Sequence, residues 1–285
     1  MTIWIDLIQT PHQIGMIDAG GVDTRALVAG DGPDVLFLHG TSGHIEAFTR
    51  NIGRHVSAGY RCHVIDLLGH GYTAKPDYPY EIPRYVEHVL AYLDAAGIDR
   101  VHLVGTSLGG WVSAHLSWTH PDRVASLQLI SSGGSVATPE VMAKIKNSTT
   151  EAVMTDDVAV TRARLELLMF DPANITDELV QIRHDVYHQP EFRQNLHNML
   201  CLQEIEIRRR NIMTPEDLGK ISAPTFVIWG SDNPFGEIPE ATNIHQAIIG
   251  SRLELVAEAG HWPYYEQPEV YNALSIDFLN EVEGR

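Results

Sequence analysis

The sequence predicts an α/β protein with a mostly parallel central sheet, helices on both faces of the sheet and a helical insertion. Short apolar stretches alternate with helical stretches from about residue 34 to residue 134, which is the rhythm of a parallel sheet covered by helices. The rhythm stops over residues 135–215, where the pattern is helical and polar, and it returns at residue 225. We therefore expect a core of residues 1–134 and 216–285, with residues 135–215 as a lid over the carboxyl ends of the strands, where ligands bind in such sheets.

Each element is predicted from its apolar pattern and its flanking turn residues. An antiparallel pair over residues 13–18 and 22–28 precedes the parallel sheet, with Gly20-Gly21 as the turn between them. Strands are predicted over residues 34–38, 61–66, 100–104, 125–130, 225–229 and 252–256. Helices are predicted over residues 82–96, 108–118, 140–148, 158–170, 176–188, 191–202 and 268–281.

Composition limits the classes of partner. The chain has 285 residues and a net charge of −17, which opposes binding to nucleic acid or to an anionic membrane. The N-terminus does not resemble a signal peptide, and no apolar run reaches the roughly 20 residues that span a bilayer. The two cysteines and the scattered histidines show no metal-ligand spacing. We expect a cytoplasmic protein that binds a small molecule and no metal; an anionic ligand would need a local cation.

The stretch from Gly105 to Gly109 carries the strongest functional signal. It reads G-T-S-L-G between a predicted strand and a predicted helix, which is the nucleophile-elbow pattern G-x-S-x-G. The elbow needs Ser107 in a strained backbone conformation, and the two glycines leave room for close backbone approach. The N-terminus of the helix favours a developing oxyanion.

A serine nucleophile needs a base and a group that orients the base. His261 follows the last predicted strand and stands in a Gly-His turn, so it is the candidate base. Asp232, just after the strand that ends at residue 229, is the candidate acid, with Glu237 farther from the strand end. The oxyanion hole is expected from the backbone N–H groups of Thr41 and Leu108.

The ordered set His39-Gly40, Ser107, Asp232 and His261 resembles the α/β-hydrolase superfamily over essentially the whole chain. Two further features are similar to the meta-cleavage product hydrolases, which cleave C–C bonds in ring-opened aromatic compounds. Trp262 directly follows the candidate base, and Arg183 ends the stretch D-E-L-V-Q-I-R in the lid.

The resemblance implies a substrate of the 2-hydroxy-6-oxo-hexa-2,4-dienoate type, hydrolysed without a metal or an organic cofactor. It implies that Arg183 binds the substrate carboxylate, the bidentate role that suits an arginine, and that Trp262 lines the pocket. Gly40, Ser42 and Thr106 are further candidate substrate-binding residues, although Thr106 stands where the family often has Asn. A homodimer is a further expectation from the resemblance.

The acid departs from the family register. In the relatives the aspartate usually stands 28 residues before the histidine, a spacing at which this chain has Asn233, whereas Asp232 is 29 residues away. Either the loop shifts by one residue and Asp232 serves as the acid, or the triad is degenerate. We expect Asp232.

Two other functions stay open. A carboxylesterase or lactonase needs only Ser107, His261, an acid and the oxyanion hole. A non-catalytic ligand-binding protein of the same fold is favoured by Asn233 and opposed by the presence of both Ser107 and His261. A haloalkane dehalogenase would need an aspartate at position 107.

Overall fold

The computed structural model describes residues 2–285, and its centre is one sheet of eight strands. The spatial order is β1-β2-β4-β3-β5-β6-β7-β8. The strands are β1 (His12–Asp18), β2 (Asp23–Ala29), β3 (Asp34–Leu38), β4 (Arg61–Ile65), β5 (Val101–Thr106), β6 (Val124–Ile130), β7 (Thr225–Gly230) and β8 (Arg252–Val256).

The sheet is antiparallel at one edge and parallel elsewhere. Strand β1 pairs with β2, and β2 pairs with β4, in antiparallel fashion; all pairs from β4 through β8 are parallel. Parallel strands require crossover connections, and helices supply them here. The helices are α1 (Thr49–Ser57), α2 (Ile82–Ala95), α3 (Leu108–Thr119), α4 (Pro139–Met154), α5 (Val158–Glu166), α6 (Asp177–Tyr187), α7 (Pro190–Gln194), α8 (Leu196–Met199), α9 (Ile205–Asn211), α10 (Pro215–Leu218), α11 (Ile238–Ala247), α12 (Pro263–Glu266) and α13 (Pro268–Val282).

Alternation along the central strands explains why both faces are covered. In β3, Leu36 and Leu38 belong to the apolar cluster that includes α2 and α3, while Val35 and Phe37 belong to the cluster that includes α1 and α13. All four are fully buried. Because successive strand side chains point to opposite faces, each face needs its own helical layer. The predicted α/β fold class is confirmed.

Helices α4 to α10 fill the chain between β6 and β7. The predicted helix over residues 191–202 is wrong as one element, because the segment is two short helices, α7 and α8, followed by a 3-10 turn over Cys201–Gln203. Asn195 lies at the junction, where its side chain donates to the Glu191 carbonyl at 3.1 Å. Asparagine competes with helical backbone bonds in this way.

Within residues 2–285, no helix has the length and apolar character needed to span a bilayer. Cys62 and Cys201 are both buried free thiols. Burial raises the pKa of each thiol above its usual value, so neither behaves as a reactive thiolate.

Candidate active site

Ser107 occupies the sharp turn between β5 and α3, with φ 54° and ψ −114°. Its N–H donates to the Ile130 carbonyl at 3.0 Å, and its carbonyl accepts from the Gly133 N–H at 3.1 Å. A Cβ on Gly105 would lie 2.3 Å from the Gly109 carbonyl oxygen. Only a glycine allows that approach, so neighbouring backbone holds Ser107 in a conformation that an L-residue rarely adopts.

His261 lies in the turn after β8, and its side chain is oriented by Asn233. The two residues share a hydrogen bond of 2.9 Å between His261 Nδ1 and Asn233 Oδ1. The Phe235 backbone N–H donates to the same oxygen at 3.1 Å, which identifies it as the amide oxygen and not the amide nitrogen. His261 must therefore donate from Nδ1, and its Nε2 carries the free lone pair that a general base needs.

The expectation that Asp232 orients His261 is corrected by this geometry. Asp232 is exposed, and its carboxylate accepts a hydrogen bond of 2.6 Å from Ser231 Oγ. The turn after β7 closes with a bond of 3.3 Å from the Asn233 N–H to the Gly230 carbonyl. This turn brings the side chain of residue 233, one position farther along, to the histidine. Glu237 is exposed at the start of α11.

His261 is held neutral by its surroundings. Burial lowers its pKa to about 3, and the positive charge of Arg164 acts in the same direction. Asn233 brings no charge to oppose either effect. The site is thus a serine and a histidine with a neutral orienting amide, which differs electrostatically from a triad with an aspartate.

The turn after β3 lies against the nucleophile. A Cβ on Gly40 would be 3.0 Å from the Ser107 Cβ. His39 fixes this turn, because its Nε2 accepts from the Leu67 N–H at 3.0 Å while its Nδ1 donates to the Gly40 carbonyl at 2.8 Å. Thr41 therefore faces Ser107 from a rigid turn. Leu108 is the first residue of α3, so its N–H is at the positive end of that helix.

Ser107 and His261 line two adjoining cavities. The second cavity reaches from this pair toward β7, where Trp229 lines it. The first cavity is lined by Gly40, Thr41, Ser107, Ile145, Arg164, Leu168, Phe235, His261 and Trp262. Of the predicted substrate-binding residues, Gly40 and Trp262 line this cavity.

The other three predicted substrate-binding residues are buried beside these cavities and do not line them. Arg183 on α6 is fully buried, with its guanidinium carbon 5.1 Å from the centroid of the Trp262 ring. Its Nη1 donates to the Tyr187 hydroxyl at 3.2 Å, and that hydroxyl is 3.0 Å from Ser42 Oγ. Thr106 is fully buried at the end of β5.

Within the described residues 2–285, no carboxylate pairs with Arg183. Its Nε and Nη2 have no hydrogen-bond acceptor among residues 2–285. Asp177 pairs with Arg162, and Glu178 accepts bonds from the Thr2 hydroxyl and the Ile3 N–H. A buried guanidinium with two nitrogen atoms that lack acceptors is costly unless an anion completes it.

The sequence model of the α/β-hydrolase family matches residues 35–274. The chain belongs to the α/β-hydrolase family. This α/β hydrolase is 31% identical to a 2-hydroxy-6-oxo-6-phenylhexa-2,4-dienoate hydrolase from Comamonas testosteroni, over 89% of this chain and 90% of the relative. A 2-hydroxy-6-oxononadienedioate/2-hydroxy-6-oxononatrienedioate hydrolase from the same species is also 31% identical, over 88% and 89%.

Solved structures show the same fold. The meta-cleavage product hydrolase from Pseudomonas fluorescens IP01 superposes on this α/β hydrolase with a TM-score of 0.84 at 24% identity, covering 94% of this chain and 98% of that one. The predicted resemblance to the meta-cleavage product hydrolases is confirmed by these relatives.

Two residues of this α/β hydrolase's site were not anticipated from sequence. Tyr187 bridges Arg183 and Ser42, and its pKa lies below the usual value: burial alone would raise it, and the charges of Arg183 and Arg164 outweigh that effect. Arg164 on α5 lines the first cavity. A signal for Arg164 existed in the sequence, since its spacing of three residues from Thr161 and four from Leu168 places it on the inward stripe of a helix.

Proposed function

We propose that this protein hydrolyses a carbon–carbon bond in a 2-hydroxy-6-oxo-hexa-2,4-dienoate-type product of aromatic ring cleavage. The relatives described above are named as hydrolases of compounds of this type. The observation that supports it most directly in this chain is Arg183, a fully buried guanidinium with two unpaired nitrogen atoms behind the Trp262 wall of the Ser107 cavity. A neutral ester or lactone brings no negative charge to balance such a group, whereas a dienoate carboxylate brings a charge and two acceptor oxygens.

The reaction needs a proton at one carbon and a hydroxyl group at the other. Arg183 holds the substrate carboxylate, and Trp262 lines the pocket beside the dienoate. His261 assists proton transfer as the dienol becomes the keto form. The carbon next to the distal ketone is protonated in this step, which makes the dienoate portion a leaving group. The free Nε2 lone pair of His261 suits this role.

The attack on the distal ketone then uses Ser107, directly or through a water that it positions. The N–H groups of Thr41 and Leu108 stabilise the oxyanion. The bond between the ketone carbon and the dienoate chain breaks, the dienoate carbon keeps the proton, and water supplies the hydroxyl group of the released carboxylic acid. No cofactor is needed in this scheme.

An Arg183→Met variant tests the proposal against a simple esterase. The variant removes the cation and keeps a side chain of similar length. We expect kcat/KM for a dienoate substrate to fall about 100-fold, the equivalent of two charge-assisted hydrogen bonds at about 1.4 kcal/mol each. Turnover of neutral p-nitrophenyl acetate should stay within a few-fold of wild type.

Arg162 offers a matched control, because it lies on the neighbouring helix α5 and pairs with Asp177 at the surface. The Arg162→Met variant should match wild type on both substrates. Equal losses for dienoate and ester in Arg183→Met would contradict the carboxylate role. Ester turnover with no dienoate turnover in wild type would favour a carboxylesterase or lactonase.

Two further expectations stay predictions, the first from the N-terminal sequence and the second from the family resemblance. The protein works in the cytoplasm, which cell fractionation tests. It forms a homodimer, which size-exclusion chromatography with light scattering tests.

A further inference from the structure

Arg164 is a second buried arginine at the cavity, and it differs from Arg183 in position. It lies on α5, with 4% of its surface exposed. Its Nε donates to Thr149 Oγ1 at 3.3 Å, and its Nη1 has no acceptor among residues 2–285. Its guanidinium carbon lies 5.7 Å from the centroid of the Phe235 ring.

No carboxylate in the described part of the chain is hydrogen-bonded to Arg164; Thr149 is its hydrogen-bonding side chain there. Burial lowers its pKa to about 10; the neighbouring Tyr187 opposes this shift, and the positive charge of Arg183 adds to it. A cation that is removed from water and faces another cation destabilises the fold, unless an anion arrives. A methionine at this position would cost less, so the arginine is best explained by a ligand.

The two arginines lie against different aromatic side chains next to His261. Arg183 stacks on Trp262, the residue after the histidine. Arg164 approaches Phe235, whose ring lies 5.2 Å from the His261 ring in an edge-on arrangement. Arg164 lines the same cavity as Ser107 and also lines a surface depression formed by α4 and α5.

The positions of Arg183 and Arg164 suit two different anionic groups of the substrate. The dienoate carboxylate and the group beyond the scissile ketone lie on opposite sides of the bond that is attacked. Arg183, behind Trp262, suits the dienoate carboxylate. Arg164, between the Ser107 cavity and the outer depression, suits the group beyond the scissile ketone. Lys144 also lies 5.0 Å from the Phe235 ring, but it is exposed, so water screens its charge.

We infer that Arg164 binds a second carboxylate, carried by the acyl group beyond the scissile ketone, and that the substrate is therefore a dicarboxylate. This inference rests on the proposed C–C hydrolase function. The products would be a 2-hydroxydienoate and a dicarboxylic acid. The reaction balance is unchanged, because the second carboxylate is not altered.

The test uses two 2-hydroxy-6-oxodienoates of equal chain length, one ending in a carboxylate, 2-hydroxy-6-oxononadienedioate, and one ending in a methyl group. We expect wild-type kcat/KM to favour the diacid about 10- to 100-fold, as one charge-assisted hydrogen bond supplies. Arg164→Met should lose that preference, so that the ratio of its kcat/KM on the diacid to its kcat/KM on the monoacid falls close to one. Arg162→Met, from the exposed side of the same helix, should retain the preference, and Arg164→Lys should recover part of it.

Each outcome decides a different claim. Equal losses on both substrates in Arg164→Met would mean that Arg164 acts on the shared dienoate half, which overturns the inference and leaves the C–C hydrolase function standing. If Arg164→Met fails to fold, the wild-type protein alone tests the inference. Equal kcat/KM for diacid and monoacid in wild type would overturn it. Turnover of neither substrate by wild type would overturn the proposed function and the inference together.

Discussion

Replacing Asn233 by aspartate puts a carboxylate against His261 without changing the shape of the side chain. The Asn233 Oδ1 lies 2.9 Å from His261 Nδ1, and its Nδ2 donates no hydrogen bond within residues 2–285. The Asn233→Asp variant therefore keeps both bonds that Oδ1 accepts and loses no bond that Nδ2 makes. The main change is one unit of negative charge beside the imidazole.

The size of the effect follows from the distance. An opposite charge this close raises a histidine pKa by about 1–3 units, which moves the pKa of His261 from about 3 to about 4–6. The histidine is active as a base when it is neutral, so activity is lost as the pH falls through its pKa. Wild-type kcat/KM should be flat from pH 8 down to pH 5, whereas the variant should show an acidic limb with a midpoint near pH 4–6.

The same change should raise the rate at pH 7.5. If about half of the gain in basicity is expressed in the transition state, p-nitrophenyl ester turnover rises about 3- to 30-fold. The assay is the pH dependence of ester kcat/KM from pH 4 to pH 9, with the folded state checked by circular dichroism at each pH.

Asp232→Asn is the matched control, because that carboxylate is exposed and bonded to Ser231. It should leave both rate and pH profile unchanged. A folded Asn233→Asp variant with a flat profile and an unchanged rate would refute the assignment of Asn233 as the group that orients the base. So would a loss of activity in Asp232→Asn.

The remaining predictions concern the packing that supports the site. Gly109→Ala places a Cβ 2.1 Å from a backbone carbonyl oxygen at the end of β3. We expect this overpacking to lower the free energy of unfolding by about 1–3 kcal/mol or more, and therefore to lower Tm by several degrees. Gly15→Ala, where a Cβ meets nothing within 4 Å, should not lower it comparably. Arg25→Met should cost about 3–5 kcal/mol in urea unfolding, because it leaves the buried carboxylates of Glu46 and Asp66 without their shared cation; a loss below 1 kcal/mol would contradict this.

The sheet and the nucleophile turn were predictable because they depend on local pattern. The bounds of β3 and β8 match those predicted from the sequence, β7 extends one residue past its predicted end, and the glycines around Ser107 signal close backbone approach. The short helices α7 and α8 were not predictable as separate elements, because asparagine at their junction interrupts a segment whose overall pattern stays helical.

The orienting residue was not predictable from chemistry alone. A triad needs a carboxylate to stabilise an imidazolium, and that requirement favoured Asp232. The turn after β7 decides which side chain reaches His261, and its backbone bonds select Asn233. Arg164 was visible only as a charged residue on the inward stripe of a lid helix, a pattern whose meaning depends on what it faces.

Product analysis decides whether this protein breaks a carbon–carbon bond. Purified protein is incubated with a 2-hydroxy-6-oxodienoate in water enriched in ¹⁸O, while loss of the dienolate absorbance is followed and the products are identified by mass spectrometry. For the proposed C–C hydrolysis we expect one 2-hydroxydienoate and one carboxylic acid per substrate consumed, with ¹⁸O from water in the acid, and no reaction in Ser107→Ala. An unchanged dienolate beside rapid hydrolysis of a p-nitrophenyl ester would contradict it.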